Sequence, residues 1–152
     1  YYREYYEEKG MFENEVYPGI KELLCGLTKQ GVLCLVATSK PEIYAKKILD
    51  YYKLRTYFHY IAGANMDGTR TDKAEVIAYA LKQIPAEYNE EKILMVGDRS
   101  HDIIGAKKNG IDSAGVLFGY GSREELEEAG ADFIADSVEA VRNIILLDTA
   151  MN

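Results

Sequence analysis

The chain has 152 residues, 47% of them hydrophobic and 28% charged. That mixture suits one folded domain and excludes disordered, collagen-like and coiled-coil readings. A formal net charge of −7 argues against broad binding to nucleic acid or an anionic membrane, but leaves room for a small phosphorylated ligand in a local pocket of donors.

In chain order, Tyr1 to Lys9 reads as the end of a helix, with Tyr1, Tyr2, Tyr5 and Tyr6 on one face and Gly10 as its stop. This charged, aromatic start does not have the pattern of a signal peptide, and the apolar runs are far shorter than a bilayer span. A helix is predicted from Gly19 to Gln30, with Ile20, Leu23, Leu24 and Leu27 inward, closed by Gly31. Val32 to Ala37 is a continuous apolar run suited to a strand buried on both faces. A helix over 41–52 and a short strand over 60–64 follow. The spacing of Val76, Ile77, Ala80, Leu81 and Ile84 predicts a helix over 73–84. Ile93 to Val96 predicts a strand, then a helix to about Asn109 and a strand over 114–118. A short helix over 124–129, with a capping box of Ser122 and Glu125, precedes a strand over 133–135 and a closing helix over 138–147. Strands alternating with helices imply an α/β fold, a three-layer Rossmann-like parallel sheet with helices on both faces. Working sites in such folds lie beyond the carboxyl ends of the strands.

Three places there carry polar chemistry. Thr38 and Ser39 follow the first strand. They offer hydroxyls and helix N-terminal amides to an anion, or they cap the helix through a Ser39–Glu42 capping box. Asp98 follows the strand at Ile93–Val96, and Asp102 lies four residues on. Two carboxylates within a turn can share a hard cation such as Mg²⁺, Asp98 directly and Asp102 through a water; equally, Asp102 can cap the helix. Lys73 begins a helix, where its charge opposes the dipole. It is either functional or a solvated surface lysine. His59 and His101 have no partner at a catalytic spacing, and Gly119-Tyr120-Gly121 reads as a turn. Cys25 and Cys34 form neither a metal cluster nor a disulfide framework, which makes a reducing, cytoplasmic setting the expectation.

The order strand–Thr38-Ser39, then Lys73, then strand–Gly97-Asp98…Asp102 resembles the second, third and fourth motifs of the haloacid dehalogenase superfamily. Tyr17-Pro18-Gly19-Ile20, Val36-Ala37-Thr38-Ser39-Lys40-Pro41, Gly97-Asp98-Arg99-Ser100-His101-Asp102-Ile103 and Gly105-Ala106-Lys107-Lys108-Asn109-Gly110 resemble its phosphoglycolate-phosphatase-like branch. The resemblance implies a Mg²⁺-dependent phosphomonoesterase of small phosphorylated metabolites, such as phosphoglycolate or nucleoside 5′-monophosphates, working through an aspartyl-phosphate. Thr38 and Ser39 would bind phosphate, Lys73 would neutralise it and the nucleophile, and Asp98 and Asp102 would form the metal site. Residues 1–15 would be the end of a helical cap and 16–152 the core. The superfamily's Asp-x-Asp-Gly-Thr motif and central strand would come ahead of the cap and are not found there within residues 1–152, so either this sequence is part of a longer polypeptide or the chain alone is expected to be inactive and to leave a gap between apolar strands. Asn65-Met66-Asp67-Gly68-Thr69 matches that motif apart from Asn65, but falls between the second and third motifs and has an amide where the nucleophile belongs. A sugar-phosphate mutase of the same superfamily and a non-catalytic phosphate- or protein-binding domain are the competing readings. Oligomeric state is not legible.

Overall fold

The computed structural model describes residues 19–65, 70, 72–88 and 92–150. The proposed cap segment at 1–15 and Asp67 lie outside the described residues. Helix α1 (Ile20–Lys29) leads to strand β1 (Leu35–Pro41), helix α2 (Glu42–Tyr51), a 3₁₀ turn (Arg55–Tyr57) and strand β2 (Tyr60–Ala64). Helix α3 (Lys73–Lys82), strand β3 (Leu94–Gly97), helix α4 (Ser100–Lys108) and strand β4 (Asp112–Val116) follow. Helix α5 (Arg123–Ala129), strand β5 (Phe133–Ala135) and helix α6 (Val138–Ala150) complete the chain. The alternation expected from the sequence is present, and all strand pairings are parallel.

Neighbouring strand residues feed opposite faces, as a pleat dictates. Val36, Ile61 and Val96 join a core cluster under α1, α2 and α6, with Leu24, Ile48 and Val141 among its helical members. Their neighbours Ala37, Ala62 and Met95 join a second cluster with Val76, Ile77 and Ala80 of α3 and Ala106 of α4. Continuous apolar runs are therefore required in β1, β2 and β3, which are covered on both sides.

The strands do not form one sheet. β1 pairs with β2, and β3–β4–β5 make a second sheet. The two meet across an apolar cleft walled by Leu35, Val36 and Ala37 of β1 and by Leu94 and Met95 of β3, with Ile77 of α3 beside it. Both half-sheets contribute to the larger core cluster, so one body spans the cleft.

β1 differs from its expected span. It begins at Leu35, because Val32 instead closes the end of α1, its N–H donating to Leu27 O at 2.9 Å. It runs on to Pro41 through an irregularity: Ala37 pairs with Ala62, yet Pro41 pairs with Ala64. Four steps on β1 thus match two on β2, a bulge holding Thr38, Ser39 and Lys40. The expected Ser39–Glu42 capping box does not form. Pro41 is the N-cap of α2 and no side chain caps it, because Ser39 lies within the bulge, two residues ahead of that position.

Candidate active site at the carboxyl ends of β1 and β3

The three regions singled out in the sequence converge. Lys73, the first residue of α3, is 4% exposed and not a surface lysine. Its ammonium lies 2.6 Å from Asp102 Oδ1 and donates to Ala37 O at 3.3 Å. The lysine therefore ties α3 to α4 and to the end of β1, beside Thr38. The N-cap of its helix is Asp72, whose carboxylate accepts from Ala74 N–H at 3.2 Å and offsets the unfavourable dipole position.

Thr38 is buried at 1% exposure, and its Oγ1 accepts from Lys40 N–H at 3.1 Å. This side-chain turn lies within the bulge and is what the Thr38 hydroxyl does locally instead of capping a helix. Ser39 is half-buried alongside.

Asp98 and Asp102 are buried at 1% and 0% exposure. Asp102 sits in the first turn of α4, where the helix dipole favours a carboxylate. Its Oδ1 meets Lys73, while its Oδ2 accepts from Asp98 N–H (3.2 Å) and Arg99 N–H (3.3 Å). Both oxygens are committed to protein donors, so its direct work is to fix Lys73 and the turn after β3. Gly97 permits this packing: a Cβ there would overlap the Asp102 carboxylate.

Asp98 is held differently. Its Oδ2 accepts from Tyr120 N–H at 3.0 Å, and its carbonyl accepts from Gly121 N–H at 2.8 Å. Asp98 Oδ1 is buried with no hydrogen-bond partner. A buried carboxylate oxygen left unpaired is costly in protein alone and suits a cation at that position. The donor set is hard oxygen, which fits Mg²⁺. Among the described residues no three His, Cys, Asp or Glu side chains form a complete cation cage. The turn at Gly119–Gly121 is thus part of the site. A Cβ on Gly119 would overlap the Asp98 side chain, and one on Gly121 the Asp98 carbonyl.

Sequence reasoning missed Glu125. Ser122 Oγ does accept from Glu125 N–H at 3.0 Å, as the capping pattern predicts. The Glu125 carboxylate, however, reaches across to α4, accepting from Ser100 N–H at 2.7 Å and Arg99 Nε at 3.0 Å. Partial burial pushes this carboxyl up, but the Ser100 and Arg99 bonds and the guanidinium charge outweigh it and hold it below its usual value. Arg70, also unflagged, is fastened to the end of β2 and to α3. It donates to Gly63 O and Asn65 Oδ1, both at 2.9 Å, and its guanidinium lies 3.7 Å from the centre of the Tyr79 ring. His59 and His101 are exposed and stay outside the buried cluster.

The model of the family described as haloacid dehalogenase-like hydrolase matches residues 1–116. A 5′-nucleotidase of Pseudomonas aeruginosa is 38% identical over 147 residues, covering 95% of this chain and 65% of that protein. The tyrosine-protein kinase PtkA of Mycobacterium tuberculosis is also 38% identical, over 95% of this chain and 50% of its own length. A phosphoglycolate phosphatase of Vibrio cholerae is 26% identical, over 95% of this chain and 63% of its own. Among solved structures, a predicted phosphatase from Clostridium acetobutylicum superposes with a TM-score of 0.84 at 45% identity, covering 96% of this chain and 67% of that one. The chain thus spans one half to two thirds of the length of the curated relatives it matches.

Proposed function

The chain belongs to the haloacid dehalogenase-like hydrolase family, in its phosphoglycolate-phosphatase-like branch, and on that premise we propose that it forms the phosphate-handling core of a phosphomonoesterase for small phosphorylated metabolites. The observation that carries this reading is the buried Lys73–Asp102 pair set beside Asp98, whose Oδ1 has no protein partner. Nucleoside 5′-monophosphates are favoured as substrates by the 38% identity to a 5′-nucleotidase, and phosphoglycolate by the more distant relative.

In this reading Thr38 Oγ1 and the bulge amides hold the phosphoryl oxygens. Lys73, fixed by Asp102, offsets negative charge as it builds up at phosphorus. Asp98, with Asp102 behind it, would hold Mg²⁺. The cation, when bound, supplies electrostatic stabilisation to the transferring phosphoryl group. The reading also calls for an attacking carboxylate on a further strand, a role it assigns to none of the described residues. The cleft between β1 and β3 supports a central position for that strand, because Leu35, Val36 and Ala37 of β1 and Leu94 and Met95 of β3 line the cleft with apolar side chains. Cys25 and Cys34 are both free thiols, which supports a cytoplasmic setting in this reading. Among the described residues no helix is long and apolar enough to cross a membrane.

A second acceptor is favoured by the similarity to PtkA: the same site would pass the phosphoryl group to a tyrosine hydroxyl instead of water. The deciding experiment is hydrolysis of para-nitrophenyl phosphate and nucleoside 5′-monophosphates by the full-length protein, with and without EDTA. Release of phosphate that EDTA abolishes, and that T38A and K73A each lower by about 100-fold or more, is the expected result. Undiminished turnover in K73A would overturn the reading. Transfer to a tyrosine peptide without phosphate release would establish the second acceptor.

A further inference from the structure

We infer that Glu125 is a positioning residue for the carboxylate site, holding the turn between Asp98 and Asp102 so that Asp98 Oδ1 stays aimed at a divalent cation. This rests on reading Asp98 as a cation ligand.

Three consecutive residues after β3 are bound by one short segment. Asp98 is gripped by Tyr120 N–H and Gly121 N–H, Arg99 by the Glu125 carboxylate through its Nε, and Ser100 by the same carboxylate through its N–H. Ser100 opens α4, and its N–H is one of the four that have no partner within a helix. A side chain 25 residues later satisfies it at 2.7 Å, the shortest of these contacts. The carboxylate also lies at the positive end of the α4 dipole. Glu125 forgoes its own helix to do this: Ser122 caps α5, and the reciprocal half of that capping box is spent on α4 instead.

The consequence follows from rigidity. Asp102 lies in the same first turn of α4, and its Oδ2 accepts the N–H groups of Asp98 and Arg99. Without Glu125, the turn loses its anchor to α5 and two donors lose an acceptor. Asp98 then keeps its bonds to Tyr120, Gly121 and Asp102, but the Arg99–Ser100 turn between the two carboxylates is no longer fixed to α5 and can loosen the pair as a unit. Acceptor and charge have separable roles, since a glutamine can still accept from Ser100 N–H.

The test is calorimetric titration of the full-length protein with Mg²⁺ alone, paired with thermal unfolding in EDTA. E125A is expected to weaken Mg²⁺ affinity by about 10- to 100-fold, the effect usual for residues that orient a metal ligand. E125Q is expected to recover most of that loss. E125D, one methylene too short to reach Ser100, should resemble E125A and serves if E125A does not fold. Wild-type Mg²⁺ affinity in E125A or E125D, with only the melting temperature lowered, would show a purely structural role and overturn the inference. Absence of Mg²⁺ binding by the wild-type protein would instead remove the cation reading of Asp98 itself, a separately visible result.

Discussion

Lys73 Nζ and Asp102 Oδ1 approach to 2.6 Å with both side chains almost wholly out of solvent. Removing one partner from such a pair strands a buried charge, which typically costs about 3–5 kcal/mol. K73M and D102N are each expected to lower unfolding free energy by about that much. The double variant should lose far less than the sum, because no lone charge is left behind. Urea denaturation of the four proteins checks this; strict additivity would mean that the two groups do not stabilise each other.

Acid should weaken the α4–α5 link. The Glu125 carboxyl is held below its usual value of 4.5 in the folded protein. A depressed carboxyl contributes stability that is fully present above the unfolded value and is lost as pH falls through the folded value. Unfolding free energy of the wild type should therefore drop more steeply than that of E125Q between about pH 4.5 and lower pH. Denaturation midpoints across that range provide the measurement, and parallel curves for the two proteins would contradict it.

Much of the fold was legible because burial and period speak locally. β2 spans Tyr60–Ala64 and β5 spans Phe133–Ala135, as the apolar runs predict. Buried Lys73, Asp98 and Asp102 stood out by their place after strands or at a helix start. The extent of β1 did not, because hydrophobicity groups Val32 and Leu33 with the strand without saying that Val32 closes the end of α1 instead. The bulge at Thr38–Lys40 involves the hydrogen bond from Lys40 N–H to Thr38 Oγ1 and the register against β2. Neither leaves a periodic trace. The capping pattern of Ser122 and Glu125 is legible for Ser122, which accepts from Glu125 N–H, whereas the Glu125 carboxylate bonds Arg99 and Ser100. Contacts between residues so far apart in the chain are set by how α4 and α5 pack.

Two glycines should respond in opposite directions to an added methyl group. Gly119 faces the Asp98 side chain, so G119A forces a clash at the site and should cost about 1–3 kcal/mol. Gly26 lies inside α1, and among the described residues nothing comes within 4 Å of a Cβ there. G26A should stabilise by about 0.5–1 kcal/mol, through lower entropy of the unfolded chain and better helix propensity. Thermal unfolding of both variants tests the pair, and G119A melting with the wild type would show that the turn yields without cost.

The two free cysteines should differ in reactivity by their surroundings alone. Cys34 is 6% exposed, and burial pushes its thiol up to about 11. The thiolate is the reacting species, so at pH 8 only about one part in a thousand of Cys34 is ionised even before access is considered. Cys25, on α1, is partly exposed. Iodoacetamide at pH 8 should therefore alkylate Cys25 in the folded protein and leave Cys34 unmodified until denaturant is added. Peptide mass mapping over time reads this directly. Equal labelling of both in native buffer would mean that the strand leading into the Thr38 bulge opens on the timescale of the reaction, which the packing of Cys34 among Val36, Leu54 and Phe58 opposes.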